Sequence, residues 1–404
     1  MQDHTVLGQV ALGYSPMIDA QRKVVALRLT IFPEPADATP DAAALLQLLQ
    51  TIWPASAPGS ARAAPRVSLN VAGEALLKAL LEATPGPQFM VEVPAFMAGD
   101  PTHGATLQRL HRAGTLLLVK GRPLSALAPE VQALFERCIL EPGEERRDIL
   151  PAAAAGRGAS TVQAGLHSGA EMDAAFERGA AAVFGWPWDE VPVRASGRAA
   201  VPTDLLAVMD LINGVEREEP VAKLEAVLRR DPTLAFRLMR YLNSPAFGLP
   251  VEVSSFGHAL MMLGYQRLKR WLALLLVSSA KGPNCKALMV GAVRRGLLME
   301  ELVRDQGDAE ARGEMFICGV FSLLDRLLQQ PMAELLKSVP VPERVHQALR
   351  GDGGPYGAYL ELVQAIEQES RYDIREKSEA LLLTAHAVNR ALLGALQAAI
   401  ELDN

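Results

Sequence analysis

Apolar residues recur at helical spacing through the second half of the chain, most regularly from Val221 to Ala280. Within that stretch Asp231-Pro232 favours the start of a helix, because an N-cap residue precedes a proline in the first turn. Asn243-Ser244-Pro245 and Gly264 interrupt the pattern, since proline and glycine disfavour a continued helix. Gln266 to Ala280 is apolar almost all round, which predicts that the last helix of this stretch is buried.

Short apolar runs alternate with alanine-rich helical patterns in the first half of the chain, from Val6 to Pro187. Helices such as Asp41 to Ile52 are expected between the runs. Strand and helix in alternation indicate a parallel sheet, and seven or eight units in about 190 residues predict a small α/β TIM-like barrel. The predicted strands are Val24 to Phe32, Val67 to Val71, Phe89 to Val93, Thr115 to Val119, Cys138 to Leu140, Thr161 to Ala164 and Ala181 to Phe184.

The two patterns meet at a segment of low apolar periodicity, DEVPVRASGRAA, which we interpret as a linker. The predicted division is therefore a barrel at residues 1–188, a linker at 189–200 and an all-α helical bundle at 201–404. The length of 404 residues agrees with two domains, because a single core rarely grows to that size.

The order of short motifs in the helical half resembles the HDOD domain, a bacterial all-helical signalling module related to HD-type metal phosphohydrolases. The motifs are D-P-T-L from Asp231, L-N-S-P-A-F-G from Leu242 and A-L-x-x-L-G-Y-x-x-L-K-R from Ala259. The segment Phe316 to Leu336 is also similar to part of regulators in which an EAL domain precedes an HDOD domain. The resemblance implies a helical bundle used in regulation.

The barrel half resembles the EAL domain, a barrel that hydrolyses the bacterial messenger cyclic di-GMP. Gly13 to Asp19 is similar to the opening motif of that family, and Ser68-Leu69-Asn70 and Val91-Glu92-Val93 are similar to two of its strands. Gln163 to Ser168 and Gly179 to Trp188 are similar to its closing motifs. The resemblance implies a site for two divalent metals at the carboxyl ends of the strands.

Most positions of that implied metal site hold unsuitable residues. Arg28 stands where a metal-binding glutamate is expected, and a guanidinium about 4 Å from a divalent ion is repelled by roughly 8 kcal/mol at an effective dielectric of 20. Asn70 and Glu92 are the retained positions, which we interpret as a vestigial, hydrogen-bonding pair inside the barrel mouth rather than as ligands. The other replaced positions hold Val119 and Lys120, then Ile139, Leu140 and Glu141, and finally Ala164, His167 and Phe184.

The helical half lacks the histidine–aspartate pair that HD hydrolases use to hold metal. The chain has seven histidines and none is followed by Asp. Gly319 to Leu323, with Ser322 in it, stands where the resemblance places that pair. We therefore predict no catalytic residue, no metal and no cofactor in either half.

A candidate partner surface lies in the loop after Tyr241, because aromatic and apolar groups are enriched at protein interfaces. Its members are Tyr241, Asn243, Phe247 and Leu249. The alternative is that Phe247 covers helix ends and Asn243 caps backbone groups, and the sequence leaves both open.

The formal net charge of −6 gives no electrostatic reason to expect nucleic acid as a partner. No stretch is long and apolar enough to predict membrane insertion, and Met1 to Thr5 shows no start of a secretory signal, so we expect a cytoplasmic protein. Cys138, Cys285 and Cys318 are widely separated, which predicts reduced core residues. The sequence leaves homodimerisation open.

Together these features predict a non-enzymatic bacterial signal-transduction protein that binds other signalling proteins, as yet unidentified. Two alternatives stay open. The first is a cyclic di-GMP sensor that binds the nucleotide without hydrolysis. The second is an enzyme, either a residual cyclic di-GMP phosphodiesterase or a phosphohydrolase with an unrecognised site.

Overall fold

A computed structural model describes residues 5–55, 66–122, 127–144, 160–188, 203–230, 256–280, 282, 284–339 and 341–403. The chain divides into two compact units. The first contains Met1–Glu190 together with Gln364–Leu393, and the second contains Val191–Val363 together with Gly394–Asn404. The sequence-based division assigned Gln364–Leu393 to the helical domain, whereas in the structure this segment clusters with the barrel.

Eight strands close into a barrel in sequence order, which confirms the predicted barrel. All seven predicted strands overlap observed ones. The bounds are β1 Val10–Asp19, β2 Val24–Pro33, β3 Arg66–Val71, β4 Phe89–Pro94, β5 Leu116–Lys120, β6 Phe135–Leu140, β7 Ser160–Leu166 and β8 Ala182–Gly185.

Strand β1 corrects the expectation of a wholly parallel sheet. It runs antiparallel to both of its neighbours, β2 and β8, while the other neighbouring strands are parallel. A tight turn explains the direction of β1 relative to β2, because antiparallel strands need only a short connection. In that turn the Asp19 carboxylate accepts hydrogen bonds from the backbone N–H groups of Gln21 and Lys23. Gly13, Ser15 and Pro16 hid this strand from the sequence pattern, since such residues disfavour strand interiors.

Helices follow most of the parallel strands on the outside of the barrel. Asp41 caps the first helix by accepting hydrogen bonds from the N–H groups of Ala43 and Ala44. The second helix begins at Glu74. The bounds are α1 Ala42–Ile52, α2 Glu74–Glu82, α3 Ala95–Ala98, α4 Gly104–Arg112, α5 Pro129–Gln132 and α6 Gly169–Glu177.

The barrel interior has an apolar layer with a polar layer next to it, towards the carboxyl ends of the parallel strands. Side chains two residues apart along a strand share a face. In several strands an apolar interior residue is therefore succeeded, two positions later, by a polar interior residue. Arg28 lies two residues after Ala26, Glu92 two residues after Met90, and Lys120 two residues after Leu118. The buried apolar layer consists of Met17, Ala26, Met90, Leu118, Ile139, Val162, Ala164, Ala182 and Phe184.

The second unit is helical. Its helices include α7 Thr203–Glu216, α8 Val221–Arg230, α9 Phe256–Ser278, α10 Cys285–Leu302, α11 Ala309–Phe321, α12 Leu324–Leu328, α13 Met332–Leu335 and α14 Glu343–Arg350. Gly264 has a left-handed φ of 72° inside α9, which confirms the predicted break. Trp271, Leu272 and Leu276 are buried, as predicted for the helix that follows the break.

Three C-terminal helices complete the chain, namely α15 Gly354–Glu367, α16 Arg371–Ala380 and α17 Ala385–Asp403. The three cysteines are free; Cys285 and Cys318 are buried, whereas Cys138 is half-buried. No helix in the described ranges combines the length and apolar character that crossing a membrane requires.

Candidate functional site

Arg28 and Glu92 form a bidentate ion pair in the polar layer of the barrel. Arg28 Nε donates to Glu92 Oε1 at 2.8 Å, and Arg28 Nη2 donates to Glu92 Oε2 at 2.6 Å. Their side chains are 6% and 0% exposed, so the pair is removed from water. Ser68 Oγ also donates to Glu92 Oε1, at 2.9 Å. Both carboxylate oxygens of Glu92 therefore accept hydrogen bonds from protein donors.

The charge of Arg28 is stabilised from several directions. Burial alone would lower the pKa of its guanidinium, but the carboxylates of Glu92, Glu369 and Glu141 together raise that pKa above its ordinary value. The guanidinium also lies over the Phe184 ring, 5.0 Å from its centroid, where a cation–π attraction adds to the ion pair. Arg28 is therefore a fixed positive charge inside the barrel.

The Asn70 side chain contacts a lysine and a threonine near the carboxyl ends of the parallel strands. Lys120 Nζ donates to Asn70 Oδ1 at 3.0 Å, and Asn70 Nδ2 donates to Thr30 Oγ1 at 3.0 Å. Glu141 lies within 3.4 Å of Lys120 Nζ and within 3.8 Å of Arg28 Nη2. Asn70 and Glu92, predicted to pair with one another, instead have separate partners, because Arg28 and Lys120 supply stronger charge-assisted donors.

A further carboxylate comes from the C-terminal segment of the first unit. Glu369 Oε1 accepts a hydrogen bond from Ser15 Oγ at 2.9 Å, and Glu369 Oε2 lies 3.4 Å from Arg28 Nη1. Loss of water raises the pKa of Glu369 above its usual range, although the Arg28 charge and the Ser15 hydroxyl act in the opposite direction. Sequence reasoning missed Glu369, because a lone Glu more than three hundred positions from Arg28 carries no local signal.

These donors do not fit the pair of divalent metals that the EAL resemblance implies. Both Glu92 oxygens accept from Arg28 and Ser68, and Asn70 Oδ1 accepts from Lys120. Arg28 and Lys120 thus contact the two side chains, Glu92 and Asn70, that the resemblance marks as metal ligands. Within the part of the chain that the structure describes, no group of three or more His, Cys, Asp or Glu residues is arranged to hold a metal.

Three other residues at positions of the implied metal site, Ala164, His167 and Phe184, add no charged or metal-binding group to the cluster around Arg28 and Lys120. Ala164 and Phe184 are buried in the apolar layer, and His167 is exposed beside the start of α6. The candidate partner surface of Tyr241, Asn243, Phe247 and Leu249 lies outside the described residues.

In the second unit, Arg295 is buried and its Nη1 donates to Ser322 Oγ at 3.0 Å. Ser322 is in the segment where the HD metal pair would fall, so an arginine also lies at this position. Nearby in the sequence, the buried Glu314 accepts hydrogen bonds from Tyr356 Oη at 2.6 Å and from Arg344 Nη2 at 3.3 Å. Desolvation raises the pKa of Tyr356, which keeps this phenol protonated as a donor.

Comparison with known proteins identifies one family in the helical half. Residues 200–338 match the model of the HDOD domain. Among curated relatives, an uncharacterized protein, YuxH, of Bacillus subtilis (strain 168) is 31% identical over 172 residues, which is 42% of each chain. The cyclic di-GMP phosphodiesterase CdgJ of Vibrio cholerae is 26% identical over 171 residues, which is 42% of this chain and 40% of the relative. The matches thus span about two fifths of these relatives' lengths.

Solved structures similar to part of the chain include EAL proteins. A standalone versatile EAL protein from Vibrio cholerae O395, in its c-di-GMP bound form, is 13% identical with a TM-score of 0.30, covering 44% of this chain and 89% of that one. The FimX EAL domain from Pseudomonas aeruginosa, bound to c-di-GMP, is 10% identical with a TM-score of 0.30, covering 45% and 90%. From the observed strands and the family match, the chain combines a closed eight-stranded barrel with an HDOD domain at residues 200–338.

Proposed function

We propose that this protein is a non-enzymatic component of cyclic di-GMP signalling, in which the barrel and the HDOD domain bind other signalling proteins. The observation that carries the proposal is the buried, bidentate pair of Arg28 and Glu92. It engages the carboxylate that a metal-dependent phosphodiesterase would need as a ligand. The partner surface around Tyr241, Asn243, Phe247 and Leu249 belongs to the same proposal.

The energetics of the ion pair support a permanent loss of metal binding. Separating Arg28 from Glu92 leaves a buried charge without its partner, at a cost of about 3–5 kcal/mol. A divalent cation at Glu92 would in addition be repelled by the Arg28 charge. Lys120 places a second positive charge beside Asn70. The barrel therefore lacks the metal-activated water on which hydrolysis of a phosphodiester depends.

The test is an assay of the purified full-length protein with cyclic di-GMP and either Mg²⁺ or Mn²⁺. We expect no hydrolysis in the wild type, and none in Arg28→Glu, because Lys120 and the other replaced positions are still present. Glu92→Ala is the matched control. Metal-dependent turnover by the wild type that is lost in Glu92→Ala would contradict the proposal.

The second candidate function is a cyclic di-GMP sensor or a residual phosphodiesterase. It is favoured by the relative named as a cyclic di-GMP phosphodiesterase and by the positive charges of Arg28 and Lys120 in the barrel mouth. Calorimetry with cyclic di-GMP in the absence of divalent metal, combined with the hydrolysis assay in Mg²⁺ or Mn²⁺, separates the candidates. Binding without turnover supports the sensor, and binding with metal-dependent turnover supports the enzyme.

A further inference from the structure

The C-terminal segment Gln364–Leu393 packs against the barrel of its own unit. Three sets of polar contacts attach it to β1 and to the end of β2. Asn389 Nδ2 donates to the carbonyls of Leu7 and Val10, and Asn389 Oδ1 accepts from the N–H group of Leu12. Arg371 Nε lies 2.9 Å from Glu34 Oε2, and Tyr14 Oη donates to Glu367 Oε1 at 3.4 Å. These contacts lie at the end of the barrel towards which the parallel strands run.

Strand β1 and the segment approach each other closely at Gly13. A Cβ atom at Gly13 would lie 2.9 Å from Glu369 Cα and 3.0 Å from the Ile366 carbonyl oxygen, which is closer than packed side chains come. Glu369 has a left-handed φ of 54°, which is unfavourable for a residue with a Cβ atom. The backbone therefore adopts a strained conformation at the residue that reaches Arg28.

The carboxylate of Glu369 is not needed to neutralise Arg28. Glu92 already binds two of the guanidinium nitrogens, and Glu141 lies within 3.8 Å of one of them. Glu369 is a third carboxylate in this cluster and adds a further negative charge. Its side chain is only 16% exposed, so the carboxylate loses most of its hydration. An apolar residue would cover the mouth without that cost. The geometry of Glu369 is that of an anion bound by an arginine and a hydroxyl group.

We propose that Gln364–Leu393 is an intramolecular cap of the barrel mouth, and that Glu369 acts as an internal anion that competes with an external anionic ligand for Arg28 and Ser15. This inference rests on the second candidate function, a barrel that binds an anionic nucleotide, and it names how that binding is regulated. In the capped state the donors facing the mouth are occupied by the chain itself. An external anion binds only in the fraction of molecules whose cap is open.

The first part of the test measures binding to full-length protein by calorimetry, with cyclic di-GMP as the probe and no divalent metal. Glu369→Ala is expected to bind at least about ten-fold more tightly than wild type, because a cap closed in nine molecules of ten lowers the apparent affinity by that factor. Glu376→Ala is the matched control, since Glu376 is an exposed carboxylate on α16 of the same segment. It is expected to bind like the wild type. Arg28→Ala combined with Glu369→Ala is expected to lose the gain.

The second part measures amide hydrogen exchange in the same proteins. Glu369→Ala is expected to speed exchange in Val10–Asp19 and in Arg371–Ala380, whereas Glu376→Ala leaves both unchanged. If Glu369→Ala does not fold, Glu369→Gln, which keeps the shape and removes the charge, takes its place with the same expectations. Equal affinity in the wild type and the Glu369 variant, whether measurable or absent in both, overturns the cap.

Discussion

The residue with the greatest consequence for the barrel interior is Arg28. A residue of that length at an interior position next to Ala26 needs a carboxylate within reach, and Glu92 on the strand two places away supplies it. Ser68 and Phe184 complete its surroundings by a hydrogen bond to the carboxylate and a ring face against the guanidinium. Arg28 thus forms a structural ion pair inside the barrel.

The strength of that pair is tested by a double-mutant cycle. Glu92→Leu leaves Arg28 buried without its main partner and is expected to lower the free energy of unfolding by about 3–5 kcal/mol. Arg28→Met together with Glu92→Leu is expected to cost less than the sum of the two single changes, because the double variant removes both charges of the pair, whereas each single variant leaves the other charge buried. Urea unfolding of the four proteins measures the coupling.

The exposed pair of Glu74 and Lys78 on α2 provides the matched control for this cycle. Its side chains are 55% and 46% exposed, so solvent screens the attraction and its coupling is expected to be within the error of the measurement. A coupling for Arg28 and Glu92 as small as that of this surface pair would show that the buried ion pair is not a structural element of the barrel.

The resemblance to the EAL domain is what grouped Arg28, Asn70 and Glu92 at the sequence level, because each stands at a position that the resemblance assigns to one metal site. The side chains that these residues contact could not be predicted from the sequence. Whether Lys120 reaches Asn70 or Glu92 depends on the register between neighbouring strands, which one sequence does not specify. Glu369 could not be found at all, since it approaches the site through packing of a distant segment.

At the scale of elements, β1 and the C-terminal segment stabilise one another. Asn389 uses both ends of its side-chain amide on the backbone around the start of β1, whereas β8 pairs with β1 only from Met17 to Asp19. Asn389 is only 1% exposed, so water cannot take over the hydrogen bonds of its side chain. The Asn389 amide therefore fixes the position of α17 against the beginning of β1.

Asn389→Ala is expected to destabilise the first unit by at least about 2 kcal/mol, because two carbonyls and one N–H group lose their partner in a buried place. Asn213→Ala is the control, since the Asn213 side chain donates only to Met209 one turn earlier in its own helix. Its expected effect is below about 1 kcal/mol. Thermal unfolding of both variants measures the difference, and equal effects would mean that the Asn389 contacts contribute little.

Strand prediction succeeded where apolar runs were bounded by turn residues and failed for β1. That strand carries Gly13, Ser15 and Pro16, which resemble a loop in any local pattern. Its glycine is explained only by the close approach of Ile366 and Glu369. The antiparallel direction of β1 follows from its tight turn, which local propensity could not distinguish from a loop before a helix.

For the whole molecule, the sequence correctly separated a barrel from a helical region but not the membership of the last helices. Helical periodicity in Arg371–Ala380 shows which residues are apolar, and it does not show against which unit they pack. The HDOD match ends at residue 338, well before Gln364, where the chain joins the barrel unit. The polar residues that make the difference are Glu369, in the turn between α15 and α16, and Asn389, in α17, and neither stands out in the local sequence pattern.

The central claim is that Arg28 engages Glu92 in an internal ion pair, so that the barrel binds no divalent metal. The most direct measurement is a titration of the full-length protein with Mn²⁺ by calorimetry, alongside Glu92→Gln. The account predicts no stoichiometric binding in either protein, because Arg28 occupies the Glu92 oxygens and repels the ion. Uptake of Mn²⁺ by the wild type in stoichiometric amounts, and its loss in Glu92→Gln, would contradict it.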